Sequence, residues 1–150
     1  LASLRARDEG VSPPSLQVLL YPVTDYESQT RSKTLFARGF FLTRRDIAWF
    51  KERFLGGSRF DATAPEVSPL LVDDLSGLAP ALVVTAGFDP LRDEGRQYAD
   101  AMRAAGTAVD YREYGPVVHG FANFFTLGGA SATATAEVIS AIRAHLTRAG

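Results

Sequence analysis

Residues 80–95 read Pro80-Ala81-Leu82-Val83-Val84-Thr85-Ala86-Gly87-Phe88-Asp89-Pro90-Leu91-Arg92-Asp93-Glu94-Gly95. The run 81–86 is almost continuously apolar, the pattern of a strand buried on both faces of a parallel sheet. Gly87-Phe88-Asp89-Pro90 then turns the chain. Asp89 suits a helix N-cap, and Pro90 suits the first helical position, where a missing N–H does no harm. The helix runs to about Ala105, with Tyr98, Met102 and Ala105 on one face and Gly106 as its stop. Residues 108–114 form a second strand, left by the loop Gly115-Pro116-Val117-Val118-His119-Gly120-Phe121.

Strand, helix and strand within 35 residues make a βαβ unit. Its strands are parallel and joined by a right-handed crossover. Adjacent strands lie about 5 Å apart. Asp89 follows the carboxyl end of the first strand and His119 that of the second. Both emerge at the sheet edge where open α/β folds hold their ligands. A carboxylate beside an imidazole is the acid–base half of a catalytic triad: the Asp fixes the ring's tautomer, and the His takes and returns the proton. Each residue also has a plainer reading, Asp89 as a cap and His119 as a loop histidine. The cap and triad roles are compatible, because one carboxylate oxygen can cap while the other meets the ring.

Working outward, residues 16–21 form a third short strand, ended by Pro22. Residues 1–9 read as the tail of a helix stopped at Gly10, and residues 23–35 as a polar loop. Residues 36–60 hold seven of the 16 aromatic side chains. Thr43-Arg44-Arg45-Asp46 has capping-box spacing. Ile47, Phe50 and Phe54 then share a helical face, and Gly56-Gly57 stops the helix. Between Arg31 and Arg53 there are seven basic and two acidic residues. Such a stripe reads either as packed core under a solvated basic face or as an aromatic lid over an apolar ligand. The last helix covers about 132–148, with His145 on its buried stripe.

Composition narrows the chemistry. The 150 residues carry 16 basic and 17 acidic side chains, too even a balance for a strongly basic nucleic-acid binder. No apolar run is long enough to span a membrane. There is no cysteine, so thiolate nucleophiles and thiolate metal sites are excluded. A hydrolase triad also needs a nucleophile, in the elbow pattern Gly-x-Ser-x-Gly. No serine here has it. Gly56-Gly57-Ser58-Arg59-Phe60 fails at Phe60. In Gly129-Ala130-Ser131-Ala132-Thr133, Ser131 follows Asp89 and His119 instead of preceding them. Asp89 itself is a poor nucleophile, because the next residue, Pro90, has no N–H for an oxyanion hole.

At these residues the sequence resembles the hormone-sensitive-lipase-like family of α/β-hydrolases, serine carboxylesterases and lipases. The matching stretches are Leu20-Tyr21-Pro22, Gly39-Phe40-Phe41-Leu42-Thr43, Ser68-Pro69-Leu70, the run 80–95, Tyr98-Ala99, Ala105-Gly106 and His119-Gly120-Phe121. The resemblance implies an α/β-hydrolase fold: the C-terminal part of a mostly parallel sheet with flanking helices. It implies Asp89 as triad acid and His119 as base. It also implies that 36–60 is a cap insertion over an acyl pocket, to which Phe40, Phe41, Trp49 and Phe121 contribute.

The family's Ser elbow and oxyanion-hole motif precede the matched region. The chain begins Leu1-Ala2-Ser3 and its one methionine is Met102. The expectation is therefore a nucleophile upstream of Leu1 and an inactive isolated chain, part of a larger domain with an exposed sheet edge. The implied substrate is a small apolar ester, with no cofactor, no metal, no nucleic acid and no membrane span. A homo-oligomer is allowed, and a cytoplasmic location is the default. The rival reading is a non-catalytic interaction module or a degenerate remnant of a hydrolase.

Overall fold

The computed structural model describes residues 1–57 and 61–148. Phe60, and with it the end of the Gly56–Phe60 near-match to an elbow, lies outside the described residues. Three strands form one parallel sheet in the order β1-β2-β3: β1 Gln17–Leu20, β2 Ala81–Phe88 and β3 Val109–Val118. Gln17 to Leu20 pair with Ala81 to Val84, and Ala81 to Ala86 pair with Val109 to Tyr114. β2 is the central strand. Seven of its eight residues are buried, which explains its unbroken apolar run.

Successive β2 side chains feed two cores, as the two-residue period of a strand requires. Ala81 and Val83 pack with Leu4 of α1 (Ala2–Asp8) and with Tyr98, Ala99 and Met102 of α4 (Arg92–Ala104). Leu82, Val84 and Ala86 pack with Val117, Phe121 and with Ala134, Val138 and Ala141 of α5 (Gly129–Arg148). Burying a Leu or Val side chain of this kind contributes about 1.5–3 kcal/mol relative to leaving it in water. Helices thus cover both faces.

The remaining helices belong to the long β1–β2 connection: α2 Arg31–Leu35 and α3 Arg44–Leu55. Thr43 caps α3 in a complete capping box with Asp46, and Gly56 is its C-cap. No helix among the described residues is long and apolar enough to cross a membrane.

Several boundaries differ from the sequence expectation. The polar stretch 23–35 contains α2, because Thr30 and the ordered neighbours of Ser32 and Lys33 support a short turn of helix. β3 does not end at Tyr114. It continues through Gly115-Pro116 to Val118, which an outer strand tolerates because a proline there need not interrupt a ladder. A 3-10 helix follows at Phe121–Leu127, and α5 starts three residues earlier than its apolar stripe suggests.

Candidate active site

The site grows from the two parallel strand ends. Across the β2–β3 pair the register shifts between Ala86 and Phe88, and Phe88 pairs with Val118. That shift depends on Gly87: a Cβ there would stand 2.2 Å from the carbonyl oxygen of Gly115. The close approach brings the residues after each strand, Asp89 and His119, face to face. Gly120 then leaves the strand at φ 74°, a left-handed turn that glycine adopts without strain.

His119 Nδ1 lies 2.8 Å from Asp89 Oδ2. Asp89 is completely buried, while the His119 side chain keeps 21% of its surface exposed. A carboxylate only accepts hydrogen bonds, so the ring donates from Nδ1 and Nε2 carries the free lone pair. The other Asp89 oxygen accepts the N–H of Leu91 at 2.8 Å. One oxygen orders the turn and the other orients the ring. The helix itself starts only at Arg92, because Arg92 N–H first closes a turn onto the Asp89 carbonyl. Asp89 therefore caps a turn leading into α4 and is not the residue before its first turn.

Tyr21 closes the other side of the imidazole, its ring centroid 4.7 Å away. It sits at φ 40°, unusual for a residue with a side chain, at the end of β1, and its N–H donates to the Val84 carbonyl. Burial and the nearby Asp89 carboxylate both push the Tyr21 hydroxyl's pKa upward.

His119 also opens on a cavity of about 290 Å³, lined with Leu91 and with Val23, Tyr26, Leu42, Ile47, Phe50 and Phe54. The stripe Ile47-Phe50-Phe54 thus faces a cavity and not a packed core. α3 has no buried residue, and Phe50 and Phe54 remain more than half exposed.

None of the four aromatic residues expected in the pocket lines this cavity. Phe121 is wholly enclosed in the core between β2 and α5 and presents no surface to a ligand. Phe40 stacks on Phe88 at 5.4 Å, and Phe41, at φ 68°, packs edge-on against Phe124. Trp49 lies outside Phe50, with the Arg53 guanidinium over its ring. The wall residues that sequence reasoning missed were visible as an apolar helical face. Its period cannot tell a core from a cavity.

His145 is not part of this site. It contacts Asp110 at 3.1 Å, tying α5 to the start of β3. Ser131 sits in the first turn of α5. Among the described residues, no group of three or more His, Asp or Glu side chains is arranged to hold a metal ion.

A family model described as the alpha/beta hydrolase fold matches residues 1–123. The chain is 60% identical over 148 residues to the carboxylic ester hydrolase LipN of Mycobacterium tuberculosis, covering 99% of the chain and 39% of that protein. Among solved structures, the thermostable carboxylesterase EstE1 from a metagenomic library matches with a TM-score of 0.85 at 37% identity, over 96% of this chain and 49% of that one. A structural analysis of two fungal esterases from Rhizomucor miehei gives a TM-score of 0.88 at 32% identity, over 98% and 46%. The chain spans less than half the length of the curated relatives it matches. The family match runs through β1, β2, β3, Asp89 and His119, and this chain belongs to the hormone-sensitive-lipase-like family of α/β-hydrolases.

Proposed function

We propose that this chain supplies the acid and the base of a Ser-His-Asp triad in a carboxylic ester hydrolase. The observation that carries the reading is the 2.8 Å contact from His119 Nδ1 to a buried Asp89, at the ends of two adjacent parallel strands. His119 Nε2 takes the proton of a serine hydroxyl as it attacks the ester carbonyl, then gives it to the departing alkoxide. In the second half it draws a proton from water as the water oxygen adds to the acyl carbon. It then returns that proton to the serine oxygen as the acyl–serine bond breaks and the acid leaves. Asp89 holds the ring by Nδ1–H throughout and stabilises the imidazolium.

The nucleophile in this reading is a serine outside these 150 residues, since no serine of the chain stands in a Gly-x-Ser-x-Gly elbow. The cavity beside His119 takes the apolar acyl or alkyl group. Its wall is Leu42, Ile47, Phe50, Phe54 and Leu91, in place of the aromatic quartet expected from the sequence.

The test replaces the matching stretch of the 60%-identical mycobacterial relative with this chain. The chimera hydrolyses p-nitrophenyl butyrate, and His119→Ala lowers kcat by about 10⁴-fold or more. The chain alone gives no turnover that depends on His119. Turnover by the chain alone that His119→Ala removes would overturn the outside nucleophile. A chimera indifferent to His119→Ala would overturn the base.

A further inference from the structure

Glu94 is a buried charge that the reaction does not use. Its side chain is completely enclosed, on the first turn of α4, five residues after Asp89. Its partners come from the segment on the other side of the cavity. Oε1 accepts the backbone N–H of Thr24 at 2.8 Å and of Asp25 at 3.3 Å. Oε2 meets the Lys33 ammonium at 2.5 Å and accepts the Ser28 hydroxyl at 3.3 Å. Lys33 also donates to the Asp25 carbonyl at 2.9 Å and to Ser28 Oγ at 2.7 Å. One residue before Glu94, Asp93 accepts the N–H of Ser32 at 2.8 Å, and the Ser32 hydroxyl donates to the Pro90 carbonyl at 2.7 Å.

Every one of these links between elements joins the turn 89–94 to residues 24–33. Val23 and Tyr26 on one side and Leu91 on the other line the cavity beside His119. The same short turn therefore presents Asp89 to the imidazole and holds the cavity wall. Stability alone is a poor reason for the pair. Removing both charges from water costs several kcal/mol per ion, and such pairs are often no more stable than apolar replacements. Burial pushes the Glu94 carboxyl above its ordinary value, although Lys33 and two amides pull it back. Enclosure is thus not fully repaid by the contacts. What the arrangement does provide is a single register for one segment against another.

We propose that the Glu94–Lys33 pair is a latch that registers residues 23–33 on the turn carrying Asp89, so that both act as positioning residues for the acyl-pocket wall. The inference rests on the cavity being that pocket, as argued above. Any displacement of 23–33 moves Val23 and Tyr26 relative to His119, and so changes which acyl chains are held in line with the reacting carbon.

A double-mutant cycle tests it. Lys33→Met leaves a buried carboxylate without its counter-ion, whereas Lys33→Met with Glu94→Gln removes both charges. In the chimera, Lys33→Met raises KM for p-nitrophenyl hexanoate about tenfold while kcat changes by less than about threefold. The double variant returns KM to within about threefold of the parent. In the chain itself, amides of residues 24–33 exchange with deuterium about tenfold faster in Lys33→Met, while those of β2 do not change. A Lys33→Met chain that fails to fold, while the double variant folds and binds as the parent does, carries the same meaning more strongly. Unchanged exchange at 24–33, or a double variant at least as impaired as the single one, overturns the latch. A parent chimera without esterase activity would overturn the hydrolase reading instead, and the exchange data would still decide the latch.

Discussion

The βαβ unit, β2 to β3, and the connection that runs from Val23 to Gly57 are held by different physics. β2 is buried almost throughout, pairs on both sides and carries Asp89 on its end. α3 has no buried residue and shows Trp49, Phe50 and Phe54 to the surface. The first region is positioned by backbone ladders and close packing. The second is pinned by side-chain hydrogen bonds, an enclosed ion pair and the Phe36-Phe40-Phe88 aromatic cluster. In the reading proposed above, the proton-transfer pair, which tolerates little misplacement, sits on the first region, and the substrate wall, which tolerates more, sits on the second.

The sharpest break in this contrast is at the rigid end. In the chimera, Asp89→Asn lowers kcat about 10⁴-fold, near 5.5 kcal/mol of barrier, with little change in stability because Asn keeps the shape. A loss under tenfold would mean that the acid is elsewhere. Gly87→Ala comes next. Its new Cβ would meet the Gly115 carbonyl, and moving β3 aside costs about 3 kcal/mol, read as a lower urea midpoint for the chain. An unchanged midpoint would show that the strand crossing is slack.

The looser region should give the opposite profile. Phe50→Ala removes cavity wall from a half-exposed site. We expect kcat/KM for p-nitrophenyl hexanoate to fall about tenfold, near 1.4 kcal/mol, with stability changed by less than about 0.5 kcal/mol. Equal losses for acetate and hexanoate would contradict a role in chain fit.

The smallest effect is electrostatic. Arg112 and then His145 hold the Asp110 carboxyl below its ordinary value. A depressed carboxylate stabilises the fold above its unfolded value, about pH 3.9, and loses that contribution as pH falls through the folded value. Against Asp110→Asn, the parent should be slightly more stable to urea at pH 6, by less than about 1 kcal/mol, and the gap should close as pH falls below about 4. A gap that persists at pH 2 would assign the effect to packing.

The same contrast decides how much of the fold and site the amino-acid sequence makes legible. The three strands, the parallel β2–β3 pair and the facing of Asp89 and His119 follow from apolar runs and from the chirality of a βαβ crossover, both local and strongly constrained. The extension of β3 past Gly115-Pro116 was hidden, since that dipeptide signals a turn, and here it sits in the register shift between the Ala86–Tyr114 and Phe88–Val118 pairs. α2 was hidden because its five residues, four polar ones and Leu35, are too few to show an apolar period. In the loose region, aromatic content singled out residues 36–60, but the side chains that line the cavity beside His119 differ from the four it suggested. Phe121 lies beside His119 in sequence yet belongs to the core, and Phe40 serves Phe88, whereas Leu42 and Ile47 carry no aromatic signal. Which side of an apolar helix faces a void depends on what packs opposite, and Leu91 and His119 come from far along the chain.

β1 and β2 are neighbours in the sheet although residues 21–80 separate them. Closing a loop becomes only slowly harder with length: tripling it costs about 1 kcal/mol. The crossover can therefore be lengthened, shortened or exchanged almost independently of the strands it joins. A connection segment can thus be exchanged as a cassette while the Asp89–His119 pair stays where the ladder puts it.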